Sequence, residues 1–265
     1  MDPRGHETNR SSTSFESIII RALEAGEDYF LPFMLTSLGA PEEARSSPRE
    51  TVRAVTHVAR PFLCPELELR LAPEPLGPWE ATERATGQVE PPPFWAHAWP
   101  GGLALARSLF DAPEVVEGRA VLDFASGCGV SAIAAARCGA RSVTATEVDA
   151  FALAAIALNA ELNGVRVEAL ARDVIGLDEA WDVVLVGDVF YQRELAARVG
   201  AWLDALAARG ALVLIGDPGR SFLPQARLRC VATFSVCGVP EWDSVVDRPA
   251  RVWRVGTAAT GVGAG

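Results

Sequence analysis

Between residues 119 and 216 the chain alternates short apolar runs with Ala-rich stretches of helical length. The runs are RAVLDF (119–124), RSVTATE (141–147), VRVEAL (165–170), DVVLVGD (182–188) and ALVLIG (211–216). Helical stretches cover 131–138, 149–163 and 194–208, with a shorter one at 102–110 ahead of the first run. Asp149 stands where a helix N-cap belongs, and Gly164 and Gly210 stand just past helix ends. Strands that alternate with helices have to form a parallel sheet covered on both faces. Two further runs, 229–237 and 251–255, have no helix between them, so the spacing predicts that they pair antiparallel.

The remainder divides by composition. Residues 1–14 read as a floppy terminus and 15–38 as a helix or two. Residues 51–90 carry short apolar runs cut by prolines, a small β-containing cap, and Pro91-Pro92-Pro93 closes it as a stiff spacer. The expected organisation is an N-terminal extension (1–50), a lead-in (51–99), the sheet domain (100–257) and a tail (258–265).

Composition excludes several chemistries. All 24 basic residues are Arg, so no Lys is present to form a Schiff base or grip a P-loop phosphate. The formal charge of -10 disfavours nucleic acid and anionic membranes as partners. Five Cys with no C-x-x-C pair suggest reduced thiols, and three scattered His give no metal-ligand spacing. With no signal-peptide-like start and no membrane-length apolar run, the expectation is a cytoplasmic monomer.

Ligands of open α/β sheets bind beyond the carboxyl ends of the strands. Those ends here carry Asp123, Glu147, Asp173, Asp188 and Asp217. Asp123 leads into Ser126-Gly127-Cys128-Gly129, where Gly127 and Gly129 let backbone pass close to a ligand. Gly127-x-Gly129-x-x-Ala132 satisfies a loose dinucleotide fingerprint, with Glu147 placed for ribose hydroxyls. A carboxylate immediately before the loop would repel a pyrophosphate, however. It suits a cation, and S-adenosylmethionine carries an ammonium and a sulfonium. Asp173 can accept from an adenine amino group with Val174 on the ring.

Each residue also has a structural reading. Glu147 is equally a helix-entry acid, Asp173 a surface acid, and Asp188 an N-cap with Tyr191 covering the helix start. On the functional reading, Asp188-x-x-Tyr191 offers an exposed carboxylate to orient a cationic amine first and accept its proton second, with a ring face or a hydrogen bond from the Tyr beside it. Trp95 and Trp99 in PPPFWAHAWPGG read as a stacking wall or as packing, and His97 as a spacer. Cys128 reads as a small loop filler, Asp217-Pro218-Gly219 as a tight turn, and Arg220 as part of the rim.

The segments VLDFASGCGVSAIAAARCGA, TATEVDAFALAAIALNAELNG, WDVVLVGDVFYQRELA and LVLIGDPGR, preceded by PPPFWAHAWPGGLALARSL, resemble the lysine methyltransferases of the electron-transfer flavoprotein β subunit. The likeness runs from about residue 65 to about residue 255. It implies an α/β, Rossmann-like seven-strand sheet of order 3-2-1-4-5-7-6, the last strand antiparallel. It also implies S-adenosylmethionine as cofactor and a protein substrate carrying a target Lys. Carried over by position, Trp99 lines the cofactor pocket, Gly127 and Gly129 lie under the methionine part, and Glu147 takes the ribose. Asp173-Val174 flanks the adenine, Gly187 runs along the cofactor, and Asp188 and Tyr191 receive the amine. One departure is Ala125, where the family has a glycine; Ala fits there only with a negative φ. Bacterial relatives are also labelled nicotinamide N-methyltransferases. A small-molecule N-methyltransferase, an NAD-dependent oxidoreductase and a non-catalytic binder of the cofactor therefore stay open.

Overall fold

In a computed structural model of the chain, the structure describes residues 46–74, 76–237 and 247–256. The expected terminus, the helices at 15–38 and the tail from 257 lie outside them. The chain order is helix α1 (Pro48–Val55), strands β1 (His57–Ala59) and β2 (Leu69–Leu71), α2 (Leu76–Thr86), α3 (Pro100–Asp111), β3 (Ala120–Phe124), α4 (Val130–Arg137), β4 (Ser142–Glu147), α5 (Ala150–Leu162), β5 (Glu168–Ala171), β6 (Val183–Gly187), α6 (Arg193–Arg209), β7 (Leu212–Asp217), β8 (Leu228–Cys237) and β9 (Asp247–Val255).

The seven-stranded sheet has the order β5-β4-β3-β6-β7-β9-β8. Strands β3 to β7 are parallel, and β9 runs antiparallel to both β7 and β8. Counted within the sheet, this is the expected 3-2-1-4-5-7-6. Register brings the carboxyl ends to one edge, with Asp123 opposite Ala145 and Leu185, and Gly187 opposite Gly216.

Strand side chains alternate between two core layers, as a period of two requires. Val121, Val183 and Leu185 pack with α3, α4 and α5, around Leu105, Ile133 and Ile156. Leu122, Phe124, Val184 and Val186 pack with α6 through Trp202, Leu203 and Leu206. Helix α5 (AFALAAIALNAEL) has scarcely any polar face, and a helix apolar all round has to be covered on both sides. The sheet takes one side. The lead-in takes the other, with Val52 of α1 and Trp95 in a shared core with Phe151 and Leu158. The Trp95 and Phe151 rings stack 6.2 Å apart. The prolines of the lead-in hid α1 and α2, which the sequence reading did not separate from its β-containing cap. Among the described residues, no helix is long and apolar enough to cross a membrane.

Candidate active site

Helix α3 starts against the strand tips because glycines leave room for it. A Cβ on Gly216 would stand 2.0 Å from the Gly101 carbonyl oxygen, and one on Gly101 would stand 2.1 Å from that of Gly216. Only hydrogen fits at either position. A Cβ on Gly187 would stand 3.1 Å from the Gly102 nitrogen. The first turn of a helix carries N–H groups with no partner inside the helix, and Trp99, at the N-cap, has no side chain to accept from them. Asp188 supplies the acceptor. Its Oδ2 receives the Gly101 N–H at 2.6 Å and the Gly102 N–H at 3.1 Å.

The other Asp188 oxygen, Oδ1, accepts from Arg220 Nη2 at 2.9 Å. Arg220 is fixed in turn by Asp217, whose Oδ1 receives the Gly219 N–H at 2.6 Å and the Arg220 N–H at 2.7 Å. The guanidinium carbon lies 5.6 Å from the Trp99 ring centre. Asp188 is therefore buried, not the exposed carboxylate that the sequence reading describes, and it caps α3 and not the helix that follows it. Its backbone is left-handed, with φ 59°, a sparsely populated conformation for a residue with a Cβ. Burial raises its pKa, opposed by Arg220 and the two glycine N–H groups.

The glycine loop is held by the acids on either side. Asp123 accepts from the Ser126 hydroxyl and, at 3.0 Å, from the Ala132 N–H. Glu147 Oε1 accepts from the Gly127 N–H at 2.7 Å. Gly127 (φ 57°) and Gly129 (φ 84°) are left-handed, and Gly129 is the N-cap of α4. Burial pushes the carboxyls of Asp123 and Glu147 up to about 7 each, partly offset by the hydrogen bonds they accept. Burial also raises the Cys128 thiol to about 12, so it is a loop filler and no nucleophile.

A cleft opens here, lined by Trp99, Asp123, Ser126, Gly127, Cys128, Gly187 and Asp188 among others. His97 lines it too, but burial lowers its pKa to about 4, so it is neutral and a poor base at neutral pH. Tyr191 is half exposed, its ring 5.9 Å from that of Phe94, which meets Trp99 edge-on at 5.8 Å. These three rings form one aromatic wall. Glu147 and Gly129 support the loop without lining the cleft. Asp173 and Val174 are not drawn in with the others. Asp173 pairs with Arg198 at 3.1 Å and accepts the Ile175 N–H, and Val174 is wholly buried in the core beside α6. Among the described residues, no cluster could hold a metal ion.

A family model described as ribosomal protein L11 methyltransferase matches residues 107–188, from α3 to Asp188. The chain is 42% identical over 170 residues to the electron transfer flavoprotein beta subunit lysine methyltransferase of Danio rerio, covering 63% of this chain and 65% of that one. It is 40% identical over 177 residues to the Xenopus laevis protein of the same name, covering 66% of this chain and 71% of the relative. The chain belongs to the electron transfer flavoprotein beta subunit lysine methyltransferase family. A homolog in Caenorhabditis elegans is 32% identical over 188 residues, which cover 64% of this chain and 76% of that one. The chain spans slightly less than two thirds of several relatives, 65% of the Danio rerio protein and 61% of the human one.

Within this lysine methyltransferase family the chain has Ala125 in the glycine loop, and its φ is 51°. The expectation of a negative φ is thus wrong: the loop keeps its left-handed turn and the alanine carries the strain. Sequence reasoning also undervalued three groups. Asp217 starts the expected turn, accepting the Gly219 and Arg220 N–H groups, and it is also fully buried, which sequence does not show. The Gly101–Gly216 approach leaves no mark in sequence beyond WPGG and IGDPG. Asn159, an amide within the apolar run of α5, was the available signal for support of the glycine loop.

Proposed function

We propose that the chain is an S-adenosylmethionine-dependent N-methyltransferase whose acceptor is a lysine amine of a protein, with the electron-transfer flavoprotein β subunit as the first candidate. The observation that carries this is the convergence of Asp123, Glu147 and Asp188, from the tips of three adjacent strands, around a loop without Cβ atoms at Gly127 and Gly129. That donor set fits the cofactor: acids suit its cationic groups and ribose hydroxyls, and bare glycine backbone suits close approach. Asp123 and Ser126 would face the methionine part, Glu147 the ribose, and Trp99 and Gly187 the cleft wall. Asp173 and Val174 would serve the adenine only from outside the lining seen here.

When bound, the cofactor supplies an electrophilic methyl group on a sulfonium. The chain's own part is alignment, which can contribute on the order of 7–11 kcal/mol. Asp188 is an orienting group here and not a base, because both of its oxygens already accept hydrogen bonds and Arg220 balances its charge. Its Oδ1 keeps a lone pair for one amine N–H. Trp99 lines the cleft, Phe94 joins it to Tyr191, and the half-exposed Tyr191 ring offers a face to an alkylamine.

The test is methyl transfer from labelled S-adenosylmethionine to purified electron-transfer flavoprotein, ribosomal protein L11 and nicotinamide in parallel, with mass spectrometry locating the label. Label on a lysine of the flavoprotein β subunit is the expected result. Label on nicotinamide alone would make this a small-molecule enzyme. Binding of NADH in place of S-adenosylmethionine would return the chain to the oxidoreductase reading.

A further inference from the structure

The side chain of Asn159 is fully buried in the last turn of α5, a helix whose only other charged or amide residue is Glu161. Its Nδ2 donates to the Cys128 carbonyl at 2.9 Å, inside the glycine loop. Its Oδ1 accepts the Arg70 N–H at 2.7 Å, on the edge of β2 in the lead-in. The two partners fix which way the amide points, since one is a carbonyl and the other an N–H. One turn further on, Asn163 accepts the Glu68 N–H at 3.1 Å and donates to the Glu68 carbonyl at 2.6 Å. No contact joins Asn163 to the glycine loop among its hydrogen bonds, which go to Glu68 and to Asn159. Just past the end of β2 stands Ala72, whose N–H donates to the Ala96 carbonyl at 2.8 Å, three residues before Trp99.

The geometry points to Asn159 as a positioning residue for the methyl donor: it fixes the Cys128 carbonyl, and so the aim of the Gly127–Gly129 backbone, by tying the loop to the lead-in strand. Asn163, at the C-cap of α5, binds Glu68 of the lead-in and the Asn159 carbonyl, and makes no hydrogen bond to the glycine loop. The proposal rests on the reading of the loop as the cofactor seat. A loop of small residues with two left-handed glycines has little rigidity of its own. A buried amide with one bond to the loop and one to an outside strand supplies it, and a buried donor left without its partner is costly.

The experiment compares S-adenosylmethionine affinity, by calorimetric titration, and melting temperature in the parent, Asn159→Asp and Asn163→Ala. The aspartate keeps an acceptor for the Arg70 N–H but sets an oxygen against the Cys128 carbonyl. Affinity is expected to weaken about tenfold in Asn159→Asp and to stay within about twofold in Asn163→Ala, with both variants melting earlier. Equal affinity in Asn159→Asp and parent, or equal weakening in both variants, overturns the proposal while leaving the cofactor reading intact. A parent that does not bind S-adenosylmethionine overturns the cofactor reading, and this inference with it. Hydrogen exchange in the parent needs no variant to fold. The cofactor is expected to slow exchange of the Arg70 amide and to leave that of Glu68 unchanged, and equal effects on both count against the proposal.

Discussion

Arg220 and Asp188 form a partly buried ion pair at 2.9 Å, and the same carboxylate caps α3 through its second oxygen. The pair lies at the tip of β6, with Arg220 held by Asp217 at the tip of β7. One side chain thus fixes the start of a helix and the charge of the cleft.

Removing that carboxylate takes the acceptor from two first-turn N–H groups and breaks its ion pair with Arg220. Asp188→Ala is expected to destabilise the protein by about 3 kcal/mol, because the buried N–H groups lose their acceptor and the ion pair is lost with it. Asp188→Ala combined with Arg220→Met should cost less than the sum of the two single losses, since the ion pair is counted in both. Chemical denaturation of the four proteins in the cycle measures the coupling. Additive losses would show that the pair contributes no coupling.

Ala125, at φ 51°, occupies a conformation that costs an L-residue about 1–2 kcal/mol. Ala125→Gly relieves this but frees the unfolded chain, which takes back about 0.4–1 kcal/mol. A small net gain is expected, roughly 0.5–1 kcal/mol, or a melting temperature higher by about 2 °C. Ala125→Val adds a β-branched side chain at a positive φ and should melt below the parent. The ordering Gly above Ala above Val, read by thermal melts, is the check.

The order of strands and the positions of helices were legible because hydrophobic period and caps are local signals. Asp149 shows this, accepting the Phe151 N–H at the start of α5 as a helix N-cap should. Clustering of acids at one sheet edge was legible for the same reason, since four of the five parallel strands end in or run directly into an acid; β5 ends in Ala171, and Asp173 beyond it pairs with Arg198. What escaped depends on contacts between distant segments. Asp188 was visible as an acid after β6 but not as the cap of a helix 87 residues earlier. Ala125 was visible as a departure, but its φ is set by the turn that Gly127 and Gly129 complete. Val174 looked available to a ligand because a strand-tip loop gives no hint of which side chains turn back into the core.

The contact between α3 and β7 predicts a sharp contrast between glycines. Gly101→Ala puts a Cβ 2.1 Å from the Gly216 carbonyl oxygen and 2.5 Å from Asp188 Oδ2, so backbone has to move. A loss of more than about 3 kcal/mol is expected, with little soluble protein. Gly118 has a φ of 69° but nothing within 4 Å of its would-be Cβ. Gly118→Ala should therefore cost only the conformational term, about 1 kcal/mol. Expression and denaturation midpoints of the two variants side by side measure the difference, and similar losses would place the strain elsewhere.

The raised carboxyls set opposite pH dependences for stability and for cofactor binding. Asp123 and Glu147 titrate at about 7 in the folded protein, against about 3.9 and 4.3 in an unfolded chain. Between about pH 4 and 7 the folded state therefore holds protons that the unfolded state has released, so stability falls as pH rises through that window. Asp149 and Asp217, each pushed up to about 6 by burial, act in the same direction, and the four carboxyls together outweigh His97, whose imidazole, lowered to about 4, acts in the opposite one. The ligand-free protein should accordingly melt higher at pH 6 than at pH 8. A cationic cofactor needs the same carboxylates ionised, so its affinity should weaken as pH falls from 8 to 6. Thermal melts with and without S-adenosylmethionine across that range test both halves at once. Asp123→Asn should flatten its share of the stability slope, because an amide has no proton to lose, and a slope unchanged in that variant would remove Asp123 from the account.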